Sequence, residues 1–248
     1  MDKKDIVFGV RAIIESLEAG KTLDKIYIKR DSSSELIKEL LEKANHYSVP
    51  VFRVPIEKLN RITRKNHQGA IALLSPATYY RLDDLIPALY EEGKTPLGVI
   101  LDGITDARNF GSIARTCECA GVDFIVIAER GSVSVTSDAV KASAGALFHI
   151  PVCRERDLKT ASTKLKYNGY KLIGASEKAS VDFTMTDYTA PTCIIMGAED
   201  KGLSIEMLKE CDQLVAIPIL GKIGSLNVGV AAGIIIYAAV EQRLETKG

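Results

Sequence analysis

The chain has 248 residues, of which 26% are charged, and its 32 acidic and 32 basic side chains give a formal net charge of zero. This length suits one large domain or two small ones with a real hydrophobic core. Because the net charge is zero, it gives no indication of a nucleic-acid or membrane partner. Residues 1–70 alone hold nine Lys and five Arg against ten Asp and Glu, a modest excess of +4.

The amino-terminal stretch MDKKDIVFGV lacks the apolar core of a signal peptide. The longest apolar run, 228–240, is too short to span a bilayer. Five cysteines, odd in number and scattered, are typical of a reducing compartment. Cys117 and Cys119 would face opposite sides of a helix and therefore cannot share a metal ion. We expect a cytoplasmic protein without a metal site.

Helical and strand-like patterns alternate in the first part of the chain. The predicted elements are a helix over 10–18, a strand KIYIK, a helix over 34–46, a strand VPVFRV, a short helix from Ile56 and a strand AIALLS. Residues 77–96 are polar, contain two Pro and hold at most one short helix, which is typical of a linker. We therefore predict domains at 1–76 and 97–248.

The second part continues the alternation. Its predicted strands are LGVIL, DFIVIA, HIPVC, YKLIGA, TCIIMG and QLVAIPI, and its predicted helices cover 109–120, 137–146, 156–168, a segment from Ser204, and 227–243. Short apolar strands that alternate with helices indicate an α/β fold with a mainly parallel sheet.

Three strands of this part end in a polar turn that opens a helix. In the first turn, within LDGITDARNFGSIARTC, Asn109 is a suitable helix N-cap and Gly111 allows a close backbone approach. Arg115 follows one turn later on roughly the same side of the helix as Gly111. The second turn is IIMGAEDKGLS and the third is LGKIGSLNVGV.

Loops at the carboxyl ends of parallel strands are the usual ligand sites of α/β proteins. Any one of these turns is explained by ordinary capping and turn chemistry, but the three together predict a binding site. A nucleotide triphosphatase is not favoured, because Leu203 stands where the phosphate-binding loop requires Lys.

The three turns, in this order, resemble the three signature motifs of the SpoU (TrmH-like) family of RNA ribose 2′-O-methyltransferases. The first motif is matched by Asn109, Gly111 and Arg115, the second by Gly197, Glu199 and Gly202, and the third by IPILGKIGSLNVGVAAGI. The stretch KASAGALFHIPV is similar to the family between the first and second motifs.

The first part also resembles family members. FGVRAIIESL and NHQGAIALL are similar to the amino-terminal module of the ribosomal RNA guanosine methyltransferases, a small α/β domain like those of some RNA-binding ribosomal proteins. In RITRKNHQG we expect RNA contacts from Arg61, Arg64, Lys65 and His67, because such loops contact phosphates. A solvated surface loop remains the alternative.

The resemblance implies a carboxyl-terminal domain tied in a deep trefoil knot, a feature that is otherwise excluded on frequency alone. It implies S-adenosylmethionine as cofactor, without a metal, and a homodimer formed through the knotted domain. The positions expected to bind the cofactor are Gly197, Gly202, Ile217, Leu220 and Leu226.

The residues expected to act on the substrate are Asn109, Arg115, Glu199, Ser225 and Asn227. Since a guanidinium stays protonated in ordinary settings, Arg115 is expected to clamp a phosphate and stabilise developing negative charge. Glu199 would orient that Arg or accept the hydroxyl proton. Whether the Arg acts in its own subunit or in the neighbouring one stays open.

The expected function is methyl transfer from S-adenosylmethionine to a ribose 2′-hydroxyl, with a guanosine of large-subunit ribosomal RNA as the favoured target. Two alternatives stay open, a tRNA 2′-O-methyltransferase and an RNA-binding assembly factor with a degenerate site. A general small-molecule α/β enzyme does not explain the separate basic module.

Overall fold

The computed structural model describes residues 6–246, and the chain divides into two compact units, Met1–Ala77 and Thr78–Gly248. None of the helices within 6–246 is both long and apolar enough to cross a bilayer.

The first unit is a four-stranded sheet in the order β1-β4-β2-β3 with three helices. Its elements are β1 (Ile6–Phe8), α1 (Val10–Glu18), β2 (Leu23–Lys29), α2 (Glu35–His46), β3 (Val51–Val54), α3 (Ile56–Ile62) and β4 (Ala70–Leu74). β1 and β2 both run antiparallel to β4, and β3 runs parallel to β2. The carboxyl ends of β1, β2 and β3 therefore lie at one edge of the sheet, where each strand passes into its helix.

Apolar side chains at helical spacing bury both faces of this sheet. Ile13 and Leu17 of α1 pack with Leu40 of α2 on one face. Leu59 of α3 packs with Ile71 of β4 on the other. Residues three and four positions apart share one side of a helix, so each helix presents a continuous apolar stripe to the sheet.

The second unit contains an eight-stranded sheet in the order β10-β12-β9-β11-β6-β7-β8-β5, with every pair parallel. Its strands are β5 (Tyr79–Tyr80), β6 (Leu97–Asp102), β7 (Phe124–Ala128), β8 (Val152–Glu155), β9 (Lys171–Ala175), β10 (Val181–Asp182), β11 (Thr192–Gly197) and β12 (Gln213–Ala216). Its helices are α4 (Leu82–Glu91), α5 (Ala107–Cys119), α6 (Ser137–Ala142), α7 (Leu158–Tyr167), α8 (Ile205–Glu210) and α9 (Val228–Glu245), with short 3-10 turns at Ala146–Phe148 and Phe183–Met185.

The central strands β6 and β11 are buried along their whole length. Parallel strands require helices on both faces, which explains why these sequences are uninterrupted apolar runs. α4, α7 and α8 pack on one face around Phe124, Leu165 and Leu172. α5 contacts α6 and α9 in the other layer. The α/β class and the mainly parallel sheet predicted from the sequence are confirmed.

The sequence predicts a linker at residues 77–96, but the structure shows a packed helix there. α4 occupies most of this segment, and its Leu82, Ile86 and Leu89 are buried in the core of the second unit. The Glu155 carboxylate accepts the backbone N–H of Leu82 at 2.9 Å, which fixes the first turn of α4. Lys164 of α7 then donates to the carboxylates of both Asp83 and Glu155, at 2.8 and 3.0 Å.

α9 closes the second unit by packing on α5. A side chain at Gly229 would place its Cβ 3.0 Å from the Ser112 hydroxyl, so glycine is what allows the two helices to approach there. β12 lies at the far side of β9 from β11, and 217–227 lead back from it to α9. The trefoil knot implied by the family resemblance stays a prediction.

Arg243 holds the carboxyl-terminal end of α9 to the start of two strands. The guanidinium of Arg243 donates to four backbone carbonyls, those of Thr95, Pro96, Tyr188 and Ala190, at 2.6 to 3.2 Å. These carbonyls belong to segments that precede β6 and β11, so Arg243 joins the end of the helix to the entry of both central strands. Guanidinium donors in a fixed fork suit such multiple bonding.

Candidate active site

α5 begins at a cap that differs from the predicted one. The N-cap is Asp106, whose carboxylate accepts the backbone N–H groups of Arg108 and Asn109 at 2.8 and 3.0 Å. These bonds lower the pKa of Asp106. Asn109, predicted as the cap, lies in the first turn instead, and its side chain is free to reach the next loop.

Gly111 serves helix packing. A Cβ at this position would lie 2.5 Å from Cβ of Ala142 and 2.8 Å from the carbonyl oxygen of Ala139, both on α6. The close backbone approach predicted for Gly111 is therefore real, but the neighbour is a helix of the same unit.

The turn after β11 is a tight loop that depends on glycine at Gly197 for space and at Gly202 for its positive φ of 66°. Ala198 and Gly202 exchange two backbone hydrogen bonds, at 3.1 and 2.7 Å. A Cβ at Gly197 would overlap the backbone of Gly202 and Leu203. The Asp102 carboxylate, at the end of β6, accepts the backbone N–H of Ser204 at 2.6 Å and so holds the far side of the loop.

The third turn ends at Asn227, which caps α9. Its Oδ1 accepts the backbone N–H of Gly229 at 3.0 Å, which leaves its amide nitrogen free to donate. That nitrogen donates to Asn109 Oδ1 at 3.0 Å and lies 3.4 Å from Glu199 Oε2. Asn109 in turn donates to Glu199 Oε2 at 3.2 Å. The structure thus brings together one side chain from each of the three predicted turns.

We name this group of Asn109, Glu199 and Asn227 the polar triad. Glu199 and Asn227 are exposed and Asn109 is half-buried, and the two amides point their N–H groups at the one carboxylate. Such bonds orient the carboxylate while leaving lone pairs for another donor. The triad can therefore fix a carboxylate beside an incoming hydroxyl group.

Arg115 lies farther along α5. It is exposed and makes no hydrogen bond or ion pair with any of residues 6–246. Its guanidinium is consequently available to a ligand or to another chain. Bidentate binding of phosphate is the interaction for which this group is best suited.

A cavity opens beside the polar triad, at the carboxyl ends of β9, β11 and β12. Glu199 and Ser225 line it, together with four of the five predicted cofactor positions, Gly197, Gly202, Ile217 and Leu226. The fifth, Leu220, is 98% exposed and lies outside the lining. A contact between Leu220 and the cofactor stays a prediction.

The lining is mainly apolar, and its charged side chains are the two carboxylates Glu177 and Glu199. Val215, Ile219 and Ile235 belong to the apolar part, which suits a flat heterocycle. A lining that carries carboxylates and no Lys or Arg favours a cationic ligand over a nucleotide phosphate. Among residues 6–246, no three His, Cys, Asp or Glu side chains are grouped to hold a metal ion.

Sequence reasoning missed Asp102, Asp106 and Glu177. Asp106 could have been found, because Asp three residues before a helical N–H is a capping signal. Asp102 and Glu177 bear no comparable local signal, since their roles depend on which strand lies next to which.

In the first unit, Arg61, Arg64 and Lys65 are exposed on α3 and the loop that follows it. Lys65 Nζ lies 5.4 Å from the centroid of the Phe8 ring. His67 is buried, and its Nδ1 accepts the backbone N–H of Gly69 at 3.1 Å. Its Nε2 therefore carries the proton and donates to Asn60 at 2.9 Å. We correct the prediction for His67, which holds the loop together with both ring nitrogens and has none left for RNA.

Comparison with known proteins agrees with this architecture. The profile of the SpoU rRNA Methylase family matches residues 96–237, and that of the RNA 2'-O ribose methyltransferase substrate binding domain matches 6–80. YacO of Bacillus subtilis (strain 168), described as a TrmH family tRNA/rRNA methyltransferase, is 34% identical over 239 residues, which cover 96% of each chain.

Two solved structures have a similar fold. The SpoU methyltransferase AviRb from Streptomyces viridochromogenes in complex with AdoMet superposes with a TM-score of 0.62 at 27% identity, covering 96% of this chain and 90% of that one. The AdoMet-bound rRNA methyltransferase from Sinorhizobium meliloti gives a TM-score of 0.60 at 25% identity, covering 96% and 87%. By its sequence profile, its relatives and its fold, this chain belongs to the SpoU rRNA methylase family.

Proposed function

We propose that this protein transfers a methyl group from S-adenosylmethionine to a ribose 2′-hydroxyl of RNA, and that the target is a guanosine of large-subunit ribosomal RNA. The observation that carries the proposal is the polar triad at the mouth of the cavity, where a carboxylate held by two amides faces the cofactor positions.

The cavity fits this cofactor chemically. Its apolar wall suits the adenine, its two carboxylates suit a cation, and the backbone at Gly202, where an added Cβ would meet nothing within 4 Å, is open to close approach. When bound, S-adenosylmethionine supplies a methyl group carried by a sulfonium, and the sulfonium becomes a neutral thioether once the methyl group is transferred. The family members AviRb and the Sinorhizobium meliloti enzyme, both described as AdoMet complexes, support this cofactor.

The protein's own residues have to prepare the hydroxyl. The ribose hydroxyl has to give up its proton as its oxygen becomes methylated, and Glu199 in the polar triad would accept that proton. Asn109 and Asn227 hold that carboxylate, and Ser225 lines the same opening. Arg115 binds the adjoining phosphate and stabilises the charge that develops on the oxygen.

The choice of ribosomal RNA rests on the first unit. The Sinorhizobium meliloti rRNA methyltransferase matches 96% of this chain, whereas the TrmH/SpoU tRNA modifying enzyme of A. aeolicus matches 67%. The share left over is about the size of the first unit, whose exposed Arg61, Arg64 and Lys65 supply the phosphate contacts. A tRNA substrate is the second candidate, since YacO is described as a tRNA/rRNA methyltransferase.

The proposed assembly is a homodimer through the second unit. α9 exposes Val230, Tyr237 and Leu244, which are spaced seven residues apart and so lie along one stripe of the helix. An apolar stripe of this kind is typical of a surface covered by another chain.

The first experiment uses S-adenosylmethionine with an isotopically labelled methyl group. The protein is incubated with total RNA from cells that lack its gene, and the digested RNA is searched for labelled 2′-O-methylnucleosides. Labelled 2′-O-methylguanosine that maps to large-subunit ribosomal RNA is the expected result. Label in tRNA would show that the substrate is tRNA and not ribosomal RNA. The absence of both label and S-adenosylmethionine binding would refute the proposed methyltransferase activity.

Arg115→Lys tests the proposed chemistry. A lysine retains the charge but not the bidentate fork, so we expect single-turnover methylation to fall by about 10²-fold, the loss typical of one removed transition-state contact. Binding of S-adenosylmethionine, measured by calorimetry, should stay unchanged because Arg115 does not line the cavity. Near-normal turnover of the Lys variant across the pH range would disprove bidentate phosphate binding by Arg115.

A further inference from the structure

Glu177 is the charged side chain of the cavity that the proposed chemistry leaves unused. β9 ends at Ala175, and Ser176 and Glu177 follow it into the cavity lining. The Glu177 carboxylate is exposed and makes no hydrogen bond or ion pair with any of residues 6–246. It can therefore accept hydrogen bonds from a ligand without first breaking a contact in the protein.

The backbone around Glu177 is fixed. Ser176 donates its N–H to the carbonyl of Val215 on β12 at 2.9 Å, and its own carbonyl accepts the N–H of Ala179 at 3.1 Å. The Ser176 hydroxyl also accepts the N–H of Lys178, at 3.3 Å. These bonds hold the turn at a defined place on the edge of the sheet, so the carboxylate is presented from an ordered backbone.

The order of the strands separates Glu177 from the polar triad. Along the carboxyl edge, β6 carries the Asn109 turn, β11 the Glu199 turn and β9 the Glu177 turn. Glu177 thus lies on the opposite side of the β11 turn from Asn109. A cofactor whose methyl group faces the triad would present a different part of itself to Glu177.

The apolar wall indicates which part that is. Val215 and Ile217 lie on or just after β12, the strand next to β9, and form the side of the cavity suited to adenine. The ribose is bonded directly to the adenine, so its two hydroxyl groups fall beside this wall. Two neighbouring hydroxyl donors match the two oxygens of one carboxylate, the pairing that dinucleotide-binding α/β folds use at the end of a strand.

We propose that the Glu177 carboxylate accepts hydrogen bonds from the vicinal ribose hydroxyls of the cofactor, and that Glu177 is a cofactor-binding residue. The assignment rests on the proposed function, because it takes S-adenosylmethionine as the occupant of the cavity. It gives the second carboxylate a binding role that is separate from the reacting end.

The test measures binding to the full-length protein by calorimetry, with two probes. S-adenosylhomocysteine carries the ribose and the amino-acid ammonium, whereas 5′-methylthioadenosine carries the ribose and has no ammonium. We expect Glu177→Ala to weaken both by the same factor, roughly tenfold, which is typical of losing hydrogen bonds to a charged group. The matched control is Lys178→Ala, which removes the next exposed charge, outside the lining, and should bind both probes as the wild type does.

Other results overturn the assignment. A loss for S-adenosylhomocysteine with no change for 5′-methylthioadenosine would place the amino-acid ammonium at Glu177. Unchanged binding of both probes would leave Glu177 without a role in the cavity. If the folded wild type binds neither probe, the proposed function itself fails, which is distinct from a failure that appears only in the Glu177→Ala variant.

Discussion

Asn227 in the polar triad has two structural roles. Asn227 caps α9 with its carbonyl oxygen and reaches Asn109 and Glu199 with its nitrogen. Because one amide serves both the helix and the site, the start of α9 and the position of the carboxylate are set together. A change at Asn227 would therefore disturb catalysis and local structure in the same step.

Gly197 gives the sharpest prediction at this scale. In Gly197→Ala the new methyl group would overlap the backbone of Gly202 and Leu203, so the loop that carries Glu199 has to move. We expect a loss of about 1–3 kcal/mol in the free energy of unfolding, the range for overpacked sites. Binding of S-adenosylmethionine should weaken in parallel, as calorimetry at a temperature where the variant is folded would show.

Gly221→Ala is the matched control. Gly221 lies on the third turn, and a Cβ there meets nothing within 4 Å. Its stability and binding should stay close to those of the wild type. Equal effects of the two substitutions would mean that loop glycines act through flexibility, and would count against the steric account of Gly197.

The identities of the site residues were predictable, but their bonds were not. Asn109, Glu199 and Asn227 could be assigned from the order and spacing of three motifs. Their mutual hydrogen bonds depend on which strands lie side by side, and β6 and β11 are neighbours although 89 residues separate Asp102, the end of β6, from Thr192, the start of β11. The position of Glu177 in the cavity lining could not be predicted for the same reason.

At the scale of elements, α4 shows where pattern reading failed. Its apolar residues Leu82, Ile86 and Leu89 have helical spacing, but Pro87 and the polar surroundings favoured a linker. A proline inside a helix forfeits the bond to the residue four positions earlier. Here that residue is Asp83, in the first turn, where the Glu155 and Lys164 contacts already fix the backbone.

The Asp83–Lys164 contact predicts a pH dependence of stability. The hydrogen bond from Lys164 holds the pKa of Asp83 below its ordinary value of 3.8. A carboxyl group whose pKa is lowered by folding stabilises the protein above its unfolded pKa, and loses that effect as the pH falls through its folded pKa. Asp83→Asn should therefore lower the urea midpoint slightly at pH 7, and the difference from wild type should shrink as the pH falls below 3.8 and vanish once the pH is below the lowered pKa of the folded state.

The effect should be small because Asp83 is half exposed, and exposed pairs contribute about 0–1 kcal/mol. Glu91→Gln, on the same helix but without an ion pair to α7, serves as the control and should match the wild type at every pH. A difference for Asp83→Asn that is the same at pH 7 and pH 3 would rule out the ionised contact as its cause.

At the scale of the whole molecule, the two units divide binding between them. The second unit holds the cavity and the polar triad at one edge of a parallel sheet. The first carries the exposed Arg61, Arg64 and Lys65 on its own, separate sheet. The neutral net charge therefore conceals a local cationic surface, a distribution that a bulk charge cannot reveal.

The triple variant Arg61→Ala, Arg64→Ala and Lys65→Ala tests that surface. Each removed phosphate contact should lower the slope of log affinity against log salt by about one, so the slope should fall by about three. Fluorescence anisotropy with a large-subunit ribosomal RNA fragment, titrated across KCl concentrations, measures this. Lys21→Ala, an exposed lysine beyond the end of α1, should leave the slope unchanged, whereas an unchanged slope in the triple variant would exclude the loop from RNA binding.

The four hydrogen bonds from Arg243 to backbone carbonyls have a consequence for folding during synthesis of the chain. The carbonyls of Thr95 and Pro96, at the entry to β6, accept hydrogen bonds from a residue that follows them by almost 150 positions in the sequence. Contacts this distant in sequence form late and slowly. All strand pairing of the first unit, by contrast, is complete within residues 6–74. On the ribosome, the growing chain would therefore hold a finished RNA-contacting module well before its methyl-transferring half could close.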